Sequence, residues 1–184
     1  MKRLIFMLFV LLPLLGVAQD AALWRQKADS LEAAGKEGDA CFYRAKIVAA
    51  QGDAMHAMKY IKRGAKLGSA DCTLLLGKIH EAKDELKEAA DCYLTASTLG
   101  SADALVLYAK ALLFGRGVGA DPQAAYALFK SACKVLPDGE PERMLGSMHL
   151  VGQGCERNAD SALHYFRLAV DHGNTQAMML LGEV

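Results

Sequence analysis

Apolar residues recur along this chain at helical spacing. Leu75, Ile79 and Ala82 share one face with Leu76 beside it, and Ala89, Tyr93 and Ala96 make a second face of the same kind. Steps of three and four residues mark amphipathic helices. No run alternates Val, Ile or Thr with polar residues, so strands are not expected. The pattern predicts short helices near 20–35, 39–50, 53–67, 70–82, 86–99, 102–114, 122–135, 141–151, 158–172 and 175–184. Stop and start signals stand between them. Gly38, Gly68, Gly100 and Gly173 are followed by Asp39, Ser69, Ser101 and Asn174. Glycine ends a helix by adopting the left-handed conformation. Asp, Ser and Asn then cap the next helix by accepting its free N–H groups. One further junction uses Pro137-Asp138-Gly139.

The same positions repeat. LGSAD occurs at Leu67–Asp71 and again at Leu99–Asp103, an offset of 32. Asp39, Asp71 and Asp103 keep that spacing, as do Lys46, Lys78 and Lys110. Ala57/Ala89 and Ile61/Tyr93 also differ by 32, and Ala125/Phe129/Ala132 recurs 37 residues later as Ala162/Phe166/Ala169. Repetition at this period signals helix pairs that bury their apolar faces on one another. The expected units are 38–67, 68–99, 100–136 and 137–172, with a partial unit at 173–184.

Leu76-Gly77 with Ala89, Tyr93 and Ala96 resembles the tetratricopeptide repeat. YAKALLFGRGVGADPQAAYALFKSA (108–132) and LGSMHLVGQGCERNADSALHYFRLA (145–169) resemble its relative, the Sel-one-like repeat. In these two, Gly115/Gly117 and Gly152/Gly154 lengthen the turn between the helices. Val118 and Asp121 fit the family's pattern, whereas Cys155 and Asn158 depart from it. The resemblance implies an all-α α-solenoid of antiparallel helix pairs that binds a protein or peptide on its concave face. The first helices of the units would line that face.

On those helices Asp39/Lys46, Asp71/Lys78 and Asp103/Lys110 are each seven residues apart, so both members share a face. Glu140 and Ser147 continue the pattern. The three Asp/Lys pairs, with Phe42 and Arg143, are the candidate contacts for an extended acidic or C-terminal peptide segment; the bland account is a solvated helix face. The carboxylate clamp of tetratricopeptide domains is not present at these positions.

Motifs with a catalytic look have repeat explanations. Ser131-Ala132-Cys133-Lys134 reads S-x-x-K, but the S-D-N and K-T-G partners are missing. Some secreted, cysteine-rich members of the family have been linked to β-lactam binding or hydrolysis, so an enzyme of that kind is the first alternative. A structural component of envelope assembly is the second. Gly115, Gly117 and Gly119 follow a helix and lack dinucleotide-loop spacing. His56, His80, His149, His164 and His172 share no repeat column, and His149 and His164 have no obvious carboxylate partner. No metal site and no cofactor is expected.

The bulk numbers add export and subtract other partners. Met1-Lys2-Arg3, a 12-residue apolar run at Leu4–Leu15 and small residues to Ala18 read as a signal peptide, 1–18. A membrane anchor needs about 20 apolar residues, and this run is interrupted by Pro13. The mature chain, 19–184, would be exported, periplasmic or secreted, with no membrane span. Losing Lys2 and Arg3 leaves 19 basic residues against 21 acidic, which gives no case for nucleic acid. Export permits disulfides among Cys41, Cys72, Cys92, Cys133 and Cys155. Cys72–Cys92 and Cys41–Cys72 are both open options, and an odd thiol remains. Cysteine-rich relatives place a partner eight residues after the Cys133 position, where this chain has Pro141. At the far end, Met178, Met179, Leu180 and Leu181 belong to a first helix with no second one. A longer array, a partner or self-association through that unfinished helix would cover it.

Overall fold

The computed structural model describes residues 20–182. The proposed signal peptide lies outside them. Among the described residues the chain is all-α, with ten helices packed as consecutive antiparallel pairs. They are α1 (Ala21–Ala33), α2 (Glu37–Ala50), α3 (Ala54–Lys66), α4 (Ala70–Ala82), α5 (Leu86–Thr98), α6 (Ala102–Phe114), α7 (Pro122–Ala132), α8 (Glu140–Val151), α9 (Ala159–Asp171) and α10 (Thr175–Leu181). No described helix is long and apolar enough to cross a membrane.

The chain divides into two compact units, the first ending at Ser101 and the second beginning at Ala102. In the first, α2 pairs with α3 and α4 with α5, while α1 packs on α2. In the second, α6 pairs with α7 and α8 with α9, while α10 packs on α9.

The pairs close through small-against-large contacts. A Cβ on Gly77 in α4 would stand 2.7 Å from the Tyr93 ring of α5, and one on Gly146 in α8 would stand 2.6 Å from Phe166 of α9. In these two pairs the aromatic ring of the second helix thus lies on bare backbone of the first. Ile61, Tyr93, Phe129 and Phe166, the large members of the repeating column, are all buried. Gly64 marks a three-helix crossing: a Cβ there would meet Cys72 of α4, and Gly38 and Cys41 of α2.

Most junctions are as expected. Gly68, Gly100 and Gly173 have positive φ. Ser69 accepts from the Cys72 amide and Asn174 from the Ala177 amide. The Gly38–Asp39 junction requires correction. Both residues lie inside α2, and the left-handed turn is at Gly35. Gly38 is small for packing, because a Cβ there would reach the Leu67 carbonyl at 3.0 Å. Asp39 is not a cap; it sits with Glu37 in the first turn, where the helix dipole favours a carboxylate. The helix expected over 122–135 also ends early, at Ala132, because the chain turns through Cys133–Val135.

Candidate protein-binding face

Phe42 and Lys46 project from α2 beside the added helix α1. The Lys46 ammonium lies 4.5 Å from the Trp24 ring and 5.7 Å from the Phe42 ring. Trp24 is buried between α1 and α2, so Lys46 is held over an aromatic platform. Asp39 is half-buried on the same face. Asp71 and Lys78 are exposed on α4, which packs beside α2. Asp39, Phe42, Lys46, Asp71 and Lys78 are therefore grouped in the first unit. Trp24 lies outside the repeating columns. Its signal in the sequence was the i, i+4 pair Trp24/Ala28, both buried here.

The second unit uses its share of the candidates internally. Lys110 of α6 pairs with Glu140 Oε1 at 2.5 Å. Arg143 donates to both oxygens of the same carboxylate at 2.7 and 2.8 Å, and Asn174 adds a longer contact at 3.4 Å. Burial pulls the Glu140 carboxyl upward in pKa, but the bonds from Arg143 and Lys110 prevail and hold it at about 2. Lys110 and Arg143, two candidate contacts, are brought together as a clamp on Glu140 that joins α6, α8 and α10. Ser147 donates to the Arg143 carbonyl, so it too is engaged within its own helix. Asp103 stays exposed.

The catalytic-looking groups are engaged structurally. Ser131 Oγ donates to the Ala127 carbonyl one turn earlier in α7. Nitrocefin is expected to show no turnover above buffer, with Ser131→Ala indistinguishable from wild type; turnover abolished by that substitution would reverse the assignment. His149 receives the Tyr126 hydroxyl at Nε2 (3.1 Å), lies 3.2 Å from the Glu156 carbonyl at Nδ1, and stacks on Tyr165. It pins the Gly-x-Gly loop to α7 and α9. Cys155 Sγ is 3.6 Å from His149 Nδ1, but burial pushes its thiol up, away from the nucleophilic thiolate.

The five cysteines carry free thiols. Cys133 faces Glu142, and burial together with that carboxylate pushes the thiol up to about 12. Glu142 is 2% exposed; Oε1 is 3.1 Å from His172 Nδ1, and Oε2 has no hydrogen-bond partner among the described residues. His56 and His80 also have carboxylate partners, Asp53 and Glu85, both at 2.6 Å. Among the described residues no three metal-ligating side chains cluster.

The fold is similar to that of solved repeat proteins. The Sel1 repeat protein from Oxalobacter formigenes has a TM-score of 0.70 at 19% identity, over 86% of this chain and 74% of that one. A protective antigen of uropathogenic Escherichia coli displaying an SLR fold, c5321, has a TM-score of 0.69 at 23% identity over 92% of this chain, which spans 38% of the antigen. Helicobacter pylori cysteine rich protein B has a TM-score of 0.51 at 22% identity, over 68% of this chain and 92% of that one. No curated protein matches the sequence. The Sel1 repeat itself matches residues 39–69, 102–134 and 142–174 and passes over the repeat expected at 68–99. These segments make up more than half of the chain, and it belongs to the Sel1 repeat family.

Proposed function

We propose that the chain is an exported, periplasmic or secreted adaptor that holds a protein or peptide segment against its first helices and performs no chemistry of its own. The observation that carries this reading is the group formed by Phe42, Lys46 and Trp24. An aromatic and a cation, preset by a buried ring, lose little freedom on binding and suit a recognition anchor. Lys78 and Asp71 on α4 extend the polar part of the surface. Sel1 repeat proteins typically bind other proteins, and most are non-catalytic scaffolds.

The test is a cross-linked pulldown from the native envelope fraction, comparing wild type with Phe42→Ala/Lys78→Glu. Circular dichroism confirms that both are folded. Lys46 and Lys110 are left intact, because one holds Trp24 and the other holds Glu140. Loss of a specific partner from the variant is the expected result. An unchanged partner set would sink the assignment.

A further inference from the structure

Helix α3 carries more charge than the fold uses. Its sequence, AMHAMKYIKRGAK, holds four Lys or Arg residues and no carboxylate. Lys59, Lys62, Arg63 and Lys66 follow the spacing i, i+3, i+4, i+7, so they form one stripe about 10 Å long. All four are exposed. Arg63 meets Glu37 at 3.3 Å, and among the described residues Lys59, Lys62 and Lys66 stand without an ion-pair partner. Like charges three and four residues apart repel. The helix dipole offsets this for Arg63 and Lys66 in the last turn, but not for Lys59 and Lys62. The opposite face, with Ala54, Ala57, Met58, Ile61 and Gly64, supplies the packing.

Beside the stripe is a cleft of about 350 Å³ lined by Glu32, Glu37, Cys41, Arg44, Tyr60 and Arg63. The Arg44 fork is engaged, with Nε and Nη2 each 2.7 Å from an oxygen of Glu32. Arg63 is different. Its 3.3 Å contact is longer than the roughly 2.7–2.9 Å of a good charge-assisted bond. Most of its five donors therefore remain to be offered. Glu37, Cys41 and Arg44 are spaced i, i+4, i+7, which puts the cleft on the opposite side of α2 from Asp39, Phe42 and Lys46.

We propose that the Lys59–Lys62–Arg63–Lys66 stripe and its cleft are a second docking surface, for an acidic peptide segment of a protein partner, with one carboxylate displacing Glu37 from Arg63. Charge complementarity selects the occupant, and the mixed signs narrow it. Glu32 and Glu37 repel a uniformly anionic lipid sheet, but they interleave with a peptide whose acidic residues are spaced by others. Met55, exposed one turn before Lys59, offers an apolar contact within such a segment.

The test is fluorescence anisotropy of the full chain at low salt. The probe is a fluorescein-labelled peptide of spaced glutamates with one leucine, run beside its glutamine-substituted twin. The acidic peptide is expected to bind and the twin not to. Lys62→Glu/Lys66→Glu weakens binding about tenfold, and Lys62→Gln/Lys66→Gln weakens it by a smaller factor without reversing the charge. The charge-matched control Lys83→Glu/Lys87→Glu leaves it unchanged. Glu37→Gln tightens it about threefold, because Arg63 is no longer shared. No binding at low salt, an equal loss in the control, weaker binding in Glu37→Gln, or a preference for phosphatidylserine vesicles would each overturn the proposal. The first-helix adaptor reading is judged separately, with the Phe42 and Lys78 variants.

Discussion

Phe166→Ala is expected to remove about 3–5 kcal/mol of stability, the range for deleting a fully buried aromatic ring. Phe166 is 0% exposed and lies on the Gly146 backbone. Its cluster neighbours Ala162, Ala169 and Ala177 are too small to fill the space it leaves. Chemical denaturation followed by circular dichroism measures the loss, with exposed His164→Ala as a control expected to change stability by less than about 0.5 kcal/mol. The contact also runs in reverse. A Cβ on Gly146 would stand 2.6 Å from the ring, so Gly146→Ala destabilises by overpacking. Combining it with Phe166→Leu, whose side chain is smaller, is expected to recover part of that cost as a coupling energy. A loss below about 1 kcal/mol for Phe166→Ala would show that the pair is not what joins α8 to α9.

The second large effect is acid lability at Glu140. The folded-state value of about 2 lies below the ordinary 4.5. The unfolded chain therefore takes up this proton first as the pH falls. The stabilisation is complete above about 4.5 and is lost as the pH drops toward 2. A depression of this size corresponds to about 2–3 kcal/mol at neutral pH after allowance for partial solvent screening. Glu140→Gln is expected to be less stable than wild type by that amount at pH 7. The gap should narrow steadily as the pH falls from 4.5 to 2, which denaturation midpoints across the range would follow. A gap independent of pH would mean that Lys110 and Arg143 do not hold the carboxylate in the way the distances imply.

Both effects come from contacts that a linear reading reaches only in part. The Phe129/Phe166 column was visible as a 37-residue recurrence, because the same packing problem recurs in every pair. That Gly146 is the surface under Phe166 was not visible, since it depends on how two helices cross. Gly38 makes the same point from the other side. Followed by Asp, it reads as a helix stop, yet it lies within α2 because the Leu67 carbonyl approaches it and Gly35 already makes the turn. The cation stripe on α3 was legible at i, i+3, i+4, i+7, but charge spacing alone does not separate a solvated face from a docking one. The cleft and the single long Arg63 contact are what the structure adds to that spacing, and the docking proposal rests on them.

Among the site residues, an identical pattern ended in three different environments. Lys46, Lys78 and Lys110 share one spacing, so the sequence by itself determined that each sits at the same place on its helix. Tertiary structure alone decided what each lysine meets: the Trp24 ring for Lys46, solvent for Lys78, and the Glu140 carboxylate for Lys110. Local periodicity follows from the fixed turn of the helix, and repeats copy it faithfully. Charge pairing and exposure depend on neighbours remote in sequence, such as α1 against α2 or α8 against α6, and no local pattern encodes which helix will stand there.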